Sequence, residues 1–268
     1  MSDFIEIKFP KSRIATFDTV YIGKRKHHMA GFLEFDVTDS LQKIRDYRVR
    51  ENTQLSFTAW LIKTISSTLA EFPQAHGYLV GKRKVMSFRD IDVGILIERE
   101  IQGALVPIPY VLRKTNEKSM VDITKEIEQA RVQVLQENDM VLGNSGSNRL
   151  QDLYNLLPAI FRRLFWYFIL KQPKLANKMM GSVSITPIGM MGSVRGSFLH
   201  TSVHPISFGV GSIIKKPGVV GKEIEIRDFL QLTILLDHDV IDGAPMARFV
   251  QQLSKRIESG YELDVTKP

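Results

Sequence analysis

One histidine and three aspartates fall within six positions of the stretch LTILLDHDVIDGAPMARFVQQL, residues 232–253. They are Asp237, His238, Asp239 and Asp242. An imidazole can accept a proton near neutral pH, and a carboxylate held by a turn can help to orient it. The spacing His-x-x-x-Asp-Gly therefore indicates a histidine base, with a solvated acidic turn as the alternative.

Two common kinds of metal site are disfavoured in this stretch. A calcium-binding EF-hand loop beginning at Asp237 would need glycine at its sixth position and glutamate at its twelfth, where the chain has Asp242 and Arg248. A zinc site at His238 would need a second histidine or a cysteine at ligand spacing, and the sequence offers neither. We therefore expect no metal here.

The neighbouring residues predict the elements that position this cluster. Residues 232–236 form a short apolar run typical of a buried strand, and Asp242-Gly243 is a turn signal. Apolar residues then recur at spacings of three and four, which predicts one face of a helix; they are Met246, Phe249, Val250, Leu253 and Ile257. His238 is thus predicted to lie at a strand end, just before a helix.

The composition predicts a protein that folds around its own hydrophobic core. Of the 268 residues 44% are hydrophobic, and the absence of cysteine excludes disulfides, thiolate metal sites and cysteine nucleophiles. The first residues are charged and lack the apolar core of a signal peptide, so a cytoplasmic location is expected. No apolar stretch reaches the roughly 18 residues that span a bilayer.

The net charge of +7 and the pI near 9.5 favour an anionic partner, such as nucleic acid, a membrane surface or a phosphorylated cofactor. Basic residues cluster modestly at residues 24–28 and 82–84, for which two solvated turns are the simpler interpretation. No RNA-binding aromatic motif, helix-turn-helix or zinc-finger pattern is present, so we expect no nucleic-acid partner.

Strand-like and helical stretches alternate irregularly along the chain. The pattern predicts strands at residues 31–37, 93–97, 104–108, 182–186, 206–213 and 231–236, and helices at residues 57–69 and 119–135. The predicted inner residues of the second helix are Val121, Ile123, Ile127 and Val132. With no repeat and no long linker, we expect one mixed α/β domain over residues 1–268, a sheet with helices packed on it.

Residues 149–180 carry an aromatic stripe at helical spacing. It comprises Tyr154, Leu157, Phe161, Leu164, Phe165 and Phe168. Packing in the core is one interpretation; contact with a membrane surface and docking of a protein are the others. Pro158 and Pro173 are expected to mark helix ends or starts.

The chain resembles a known family, the catalytic domain of the acyltransferase component of 2-oxoacid dehydrogenase complexes, which is related to chloramphenicol acetyltransferase. DHDVIDGAPMARFVQQL is similar to the family's DHR-x-x-DGA motif, with His238, Asp242 and Gly243 in register. Four further segments agree in order: SFTAWLIKTISSTLAEFPQAHG at 56–77, IDVGILIEREIQGALVPIPYVLRKTNEKSMVDITKEI at 91–127, SVSITPIGMMG at 182–192 and HPISFGVGSI at 204–213. Coverage is nearly complete apart from an added, predominantly helical stretch at about 143–180.

The resemblance implies a chloramphenicol acetyltransferase-like fold and acyl transfer between coenzyme A and a dihydrolipoyl thiol. His238 would act as general base, and Thr186 aligns with the serine that stabilises the oxyanion. Asp242 aligns with a structural aspartate that pairs with an arginine, for which Arg13 is a candidate, and Gly243 would support the same turn. Asp237 and Asp239 are left as turn or surface charges.

The resemblance also implies a homotrimer with active sites between subunits. No lipoyl domain or subunit-binding domain precedes Arg13, so we expect no covalently attached lipoyl group and an acceptor that is a free small molecule or a lipoyl carrier on another chain. His204 and Pro187 stand where the family has asparagines, which leaves the acyl pocket and the acceptor open. A catalytically silent trimeric scaffold is the alternative function.

Overall fold

The structure, a computed structural model, describes residues 5–6, 13–101, 104–132, 154, 156–187, 189 and 194–264. Its helices are α1 (Arg13–Gly23), α2 (Thr38–Arg50), α3 (Phe57–Glu71), α4 (Met120–Val132), α5 (Ala159–Leu170), α6 (Pro173–Met180) and α7 (Gly243–Ser259). Its strands are β1 (His28–Asp36), β2 (Tyr78–Val80), β3 (Lys84–Met86), β4 (Val93–Ile101), β5 (Ala104–Leu112), β6 (Val183–Thr186), β7 (Ile206–Val220) and β8 (Glu223–Asp237).

Six of the strands form one mixed sheet in the order β1-β8-β7-β6-β4-β5. The short strand β6 runs parallel to both of its neighbours, β4 and β7, and the remaining pairs are antiparallel. Strands β2 and β3 make a separate small hairpin. The predicted α/β class, a mixed sheet with helices packed on it, is confirmed.

One face of the sheet packs against helices and forms the core. Phe208 of β7 contacts Phe249 of α7, with ring centroids 6.5 Å apart. Helix α3 is almost wholly buried, and its Trp60 indole N–H donates to the Tyr261 carbonyl at 2.9 Å. Alternating residues of the central strands supply the apolar side chains of this face; they include Val183, Ile185, Ile206, Phe208, Ile234 and Leu236.

The opposite face of the central strands carries small polar residues. Thr186 pairs with Gly209, and Gly209 pairs with Thr233; Ser184 and Ser207 form the next pair on the same face. His200, in the segment 194–205, lies against this face. It packs so closely on Gly209 that a Cβ at that position would stand 2.9 Å from His200 Nδ1. The sheet therefore separates an apolar, helix-covered side from a polar side that bears Thr186.

The structure tests two predictions about helices, one on inner residues and one on helix ends. Ile123 and Ile127 of α4 are buried as expected, but Val132 is 80% exposed, so its assignment as an inner residue is wrong. Pro158 is the N-cap of α5 and Pro173 begins α6, as predicted. No helix in the described ranges is both long enough and apolar enough to cross a membrane.

Candidate active site

His238 lies directly after β8, in a turn closed by backbone hydrogen bonds. The Val240 N–H donates to the Asp237 carbonyl at 3.1 Å, and the His238 N–H donates to the His27 carbonyl at 3.0 Å. The imidazole itself is exposed. The predicted place of His238, at a strand end before a helix, is confirmed. A reagent approaching from solvent can therefore reach the ring, while the backbone behind it is fixed.

The turn is held by a buried ion pair that sequence reasoning missed. Lys26 Nζ lies 2.6 Å from Asp237 Oδ2, and the Asp237 side chain is only 1% exposed. Asp237 Oδ1 also accepts the Asp239 N–H at 3.2 Å. Of the two expectations for Asp237, a turn charge or a surface charge, the surface one is wrong: its carboxylate bonds within the turn but is buried, and the Lys26 ammonium balances its charge.

A second contact ties the same two segments together. His27 Nδ1 lies 3.0 Å from Asp239 Oδ1, and both side chains are solvent-accessible. Lys26 and His27 are consecutive, and both bind the turn. Lys26 does so through its ammonium, which contacts Asp237, and His27 through its backbone carbonyl and its imidazole. We call these two residues the brace. Its effect is to fix the backbone that carries His238.

Behind the brace lie two histidines that are kept uncharged by burial. Burial lowers the pKa of His204 to about 4 and also lowers the pKa of His28 below its ordinary value. The neutral His204 ring donates from Nε2 to the Met180 carbonyl at 3.1 Å, and its Nδ1 accepts from the Ser202 hydroxyl at 3.2 Å. His28 Nε2 donates to the His204 carbonyl at 2.9 Å. His204 therefore links the starts of β1 and β7 to the end of α6.

The close packing around His204 requires a glycine on β4. A Cβ on Gly94 would stand 2.9 Å from the Met180 carbonyl oxygen and 3.5 Å from His204 Nε2. The first distance is shorter than real Cβ contacts allow, so the carbonyl that accepts from His204 lies there only because position 94 has no side chain.

His200 forms a further polar contact on the face of the sheet that bears Thr186. His200 Nε2 lies 2.6 Å from the hydroxyl oxygen of the fully buried Ser207. Burial lowers the pKa of His200 to about 4, so the ring is neutral at physiological pH. No local sequence pattern marks this pair, since the histidine stands in irregular chain and the serine in a strand.

Thr186 ends β6, well away from His238 in the same chain. Strand pairing places Thr186 beside Gly209 and Gly209 beside Thr233, four residues before the end of β8 at Asp237. His238 follows Thr233 by five residues, so with a rise of about 3.3 Å per residue and strands about 4.8 Å apart, the Cα atoms of Thr186 and His238 are separated by roughly 19 Å. Within one chain the two side chains therefore do not meet over one reacting carbonyl.

Asp242 and Gly243 stand at the start of α7, and both are exposed. Among the described residues Asp242 has no ion pair and no side-chain hydrogen bond. Arg13 begins α1, and its guanidinium lies over the Phe17 ring at 5.6 Å. Eleven helical residues rise about 16 Å, so Arg13 is distant from Gly23, the end of α1 that packs at Ser202. The pairing of Asp242 with Arg13 stays a prediction.

Five of the six histidines lie in the segments discussed above. Even so, the part of the chain that the structure describes contains no group of three or more histidine and acidic side chains arranged to hold a metal ion. What the arrangement offers is an exposed imidazole on a rigid turn and, elsewhere on the sheet, an accessible hydroxyl at Thr186.

Residues 4–143 and 171–264 match the family model of the 2-oxoacid dehydrogenase acyltransferase catalytic domain. The dihydrolipoyllysine-residue acetyltransferase component of the pyruvate dehydrogenase complex of Mycoplasma pneumoniae is 26% identical over 215 residues, which are 80% of this chain and 44% of that protein. The lipoamide acyltransferase component of the branched-chain alpha-keto acid dehydrogenase complex of Bacillus subtilis is 25% identical over 237 residues, which are 87% of this chain and 47% of that protein. The chain thus spans about half the length of these curated relatives.

Solved structures share the fold. The probable dihydrolipoamide acetyltransferase of Listeria monocytogenes superposes with a TM-score of 0.67 at 21% identity, covering 98% of both chains. The dihydrolipoamide acetyltransferase of Azotobacter vinelandii superposes at 0.69 with 18% identity, covering 96% of this chain and 92% of that one. That protein was studied for the catalytic roles of a serine, of a histidine fifty-two positions later, and of an asparagine four positions after the histidine.

Proposed function

Because the chain belongs to the family of 2-oxoacid dehydrogenase acyltransferase catalytic domains, we propose that it moves an acyl group between coenzyme A and a thiol acceptor. The acceptor is the dihydrolipoyl group of a carrier on another chain, or a free small thiol. The observation that carries the proposal is the exposed imidazole of His238, at the family's motif, on a turn fixed by Lys26 and Asp237.

In the proposed reaction an acyl group moves from one thiol to another: a thioester and a free thiol become a new thioester and a new free thiol. Neutral His238 takes the proton of the incoming thiol, and the resulting thiolate attacks the thioester carbonyl. The carbonyl oxygen becomes an oxyanion, to which the Thr186 hydroxyl donates a hydrogen bond. The intermediate then collapses, the original C–S bond breaks, and the departing thiolate takes the proton back from the imidazolium. The base contributes about 10² to 10⁴ in rate, and the hydroxyl about 10² to 10³.

Sequence spacing supports the assignment of Thr186. This residue precedes His238 by fifty-two positions, and Asp242 follows His238 by four. The serine, histidine and asparagine studied in the Azotobacter vinelandii acetyltransferase have the same separations. Threonine keeps the hydroxyl of serine. Aspartate stands in place of the asparagine.

The separation of Thr186 from His238 supports an active site shared by two subunits. The reacting thioester would have to lie within about 3 Å of both the thiol activated by His238 and the Thr186 hydroxyl, whereas the Cα atoms of these two residues in one chain are roughly 19 Å apart. A second protomer can bring its His238 to the polar face that carries Thr186. We therefore propose the homotrimer expected from the family, in which each interface holds one complete site.

The test is an acyl-transfer assay on the intact protein. Acetyl-, propionyl-, succinyl- and branched-chain acyl-CoA are each mixed with dihydrolipoamide, and the CoA released is measured. The result expected is transfer of at least one acyl group to the thiol, with Thr186→Val slower by about 10² to 10³ and Thr186→Ser close to the parent rate. Release of CoA from none of these thioesters would leave the silent trimeric scaffold as the function.

A further inference from the structure

Helix α5 packs with Arg162 on its inner side. Arg162 Nε donates to Asp18 Oδ2 of α1 at 2.7 Å, and these side chains are 12% and 2% exposed. The Tyr154 hydroxyl donates to the same carboxylate oxygen at 2.8 Å, and the Trp166 indole N–H donates to the Tyr154 hydroxyl at 2.9 Å. The inner side of the helix therefore joins α1 through a polar network, and its Ile169 is buried in a small apolar cluster with Tyr78 and Ala176. Together these contacts leave the opposite side of α5 facing out.

The outer side of α5 is apolar. Its side chains follow the spacing i, i+1, i+4, i+7 and i+8 of one helical face. They are Ile160 (72% exposed), Phe161 (57%), Leu164 (49%), Tyr167 (49%) and Phe168 (56%). We call these five residues the outer face. Core packing, one interpretation of the aromatic stripe, holds for Tyr154 but not for Phe161, Leu164 or Phe168. A contiguous apolar face of this kind on a soluble domain marks a surface that contacts something else.

The charged residues of the segment that carries the outer face all have one sign. Residues 156–182 contain no aspartate or glutamate, and apart from Arg162 their charged residues are exposed; those are Arg163, Lys171, Lys174 and Lys178. The Arg163 guanidinium lies 3.6 Å from the centroid of the Tyr21 ring, and Lys171 Nζ lies 4.2 Å from that of Tyr167. Lys171 thus stands beside an aromatic side chain of the outer face, and Arg163 beside one of α1.

We infer that the outer face of α5 docks on an anionic phospholipid surface, with the helix parallel to the membrane plane. Apolar and aromatic side chains enter the boundary between headgroups and acyl chains, and the surrounding lysines and arginines bind lipid phosphates and carboxylates. Twelve helical residues are about 18 Å long, well short of the roughly 30 Å hydrocarbon core, so the helix lies on the bilayer.

Charge favours a lipid surface over a second copy of the chain. If two copies met through the same face, four cations of each would be brought together without an anion on this segment to balance them. The family model does not match residues 144–170, which include α5.

Flotation of the intact protein with vesicles tests the inference. One set of vesicles is pure phosphatidylcholine, and the other contains about 30% phosphatidylserine, which supplies the negative surface potential. Three variants are compared with the parent: Phe161→Ser/Leu164→Ser/Phe168→Ser, Lys171→Glu/Lys174→Glu/Lys178→Glu, and a control, Val219→Ser/Ile224→Ser/Ile226→Ser. The control removes three apolar side chains that are more exposed, 74–78% against 49–57%, from the distal β7–β8 ribbon.

The parent and the control should float with anionic vesicles at low salt, and both α5 variants should bind at least tenfold more weakly. Circular dichroism and the acyl-transfer rate check that each variant is folded. Failure of the parent to float, or equal flotation of the serine variant, would overturn the inference. Conversion of a larger assembly to a smaller one by the serine variant, with vesicle binding unchanged, would identify the outer face as a protein interface and also overturn it.

Discussion

The ammonium of Lys26 lies 2.6 Å from the carboxylate of Asp237, a residue 211 positions later that is only 1% exposed. This contact joins the segment entering β1 to the end of β8, where the chain turns to present His238. A buried carboxylate that loses its only neutralising partner is costly, whereas an exposed charge is not.

Lys26→Ala should therefore lower the free energy of unfolding by about 2–4 kcal/mol, since Asp237 keeps its burial and loses its cation. Lys24→Ala, two residues earlier and exposed, should change it by less than about 0.5 kcal/mol. Urea unfolding followed by circular dichroism measures both. Equal stabilities of the two variants would show that the brace does not hold this turn.

Acidification should weaken the fold because histidines with lowered pKa values take up protons only when the chain unfolds. Burial lowers the pKa of His76, His200 and His204 to about 4 in the folded chain, against about 6.5 when unfolded. Their contribution is complete above pH 6.5 and is lost as the pH falls towards 4. When the pH falls from 7.5 to 5.5, each of these histidines should lower the free energy of unfolding by about 1 kcal/mol.

Urea midpoints at these two pH values measure that loss. His76→Gln removes one of the three histidines. Between pH 7.5 and 5.5 the free energy of unfolding of this variant should therefore drop by about 1 kcal/mol less than that of the parent. A parent protein as stable at pH 5.5 as at pH 7.5 would contradict the burial of uncharged histidines.

Gly94 should not tolerate a side chain. In Gly94→Ala the new Cβ would meet the Met180 carbonyl oxygen at 2.9 Å, and backbone has little room to yield. We expect a loss of about 1–3 kcal/mol in stability. The strand glycine Gly31 is a matched control, because its nearest contact would be a side-chain atom of Leu33 at 4.0 Å. Thermal melts of both variants make the comparison, and a Gly94→Ala protein as stable as Gly31→Ala would refute this packing.

Mixing of defective subunits tests whether the site is shared. His238→Ala chains keep Thr186, and Thr186→Trp chains keep His238, so a shared site is complete only where the intact residues of the two variants face each other. Random reassembly of equal amounts should restore about a quarter of the parental activity. Each variant treated alone is the control. Absence of any recovery, with mixed assemblies demonstrated by mass, would place both residues in sites of single chains.

The sheet was predictable because its strands are locally apolar and bounded by turn residues. Residues 206–213 and 231–236 mark the buried halves of β7 and β8, but the distal halves extend as a ribbon with alternating polar residues that resembles a loop in sequence. The position of His238 followed from the same local signals, since an apolar run and a helical periodicity flank it.

The partners of charged residues were not predictable from local sequence. Asp237 stands in an acidic turn and was expected at the surface, yet folding brings Lys26 to it from the other end of the chain. Helix α5 illustrates the same point: periodicity identifies an apolar side, and burial of that side is the ordinary outcome. Here Asp18 of α1 binds Arg162 and turns the apolar side outward.

The most direct test of the central claim is the rate of acyl transfer by His238→Ala under single-turnover conditions, with Glu128→Ala on α4 as a control remote from the site. The acyl-CoA is the one that the thioester panel identifies, and dihydrolipoamide is the acceptor. We expect His238→Ala to lose a factor of about 10² to 10⁴ in rate, with its fold and oligomeric mass unchanged, and Glu128→Ala to keep the parental rate. A His238→Ala protein that transfers acyl groups at the parental rate would contradict the central claim.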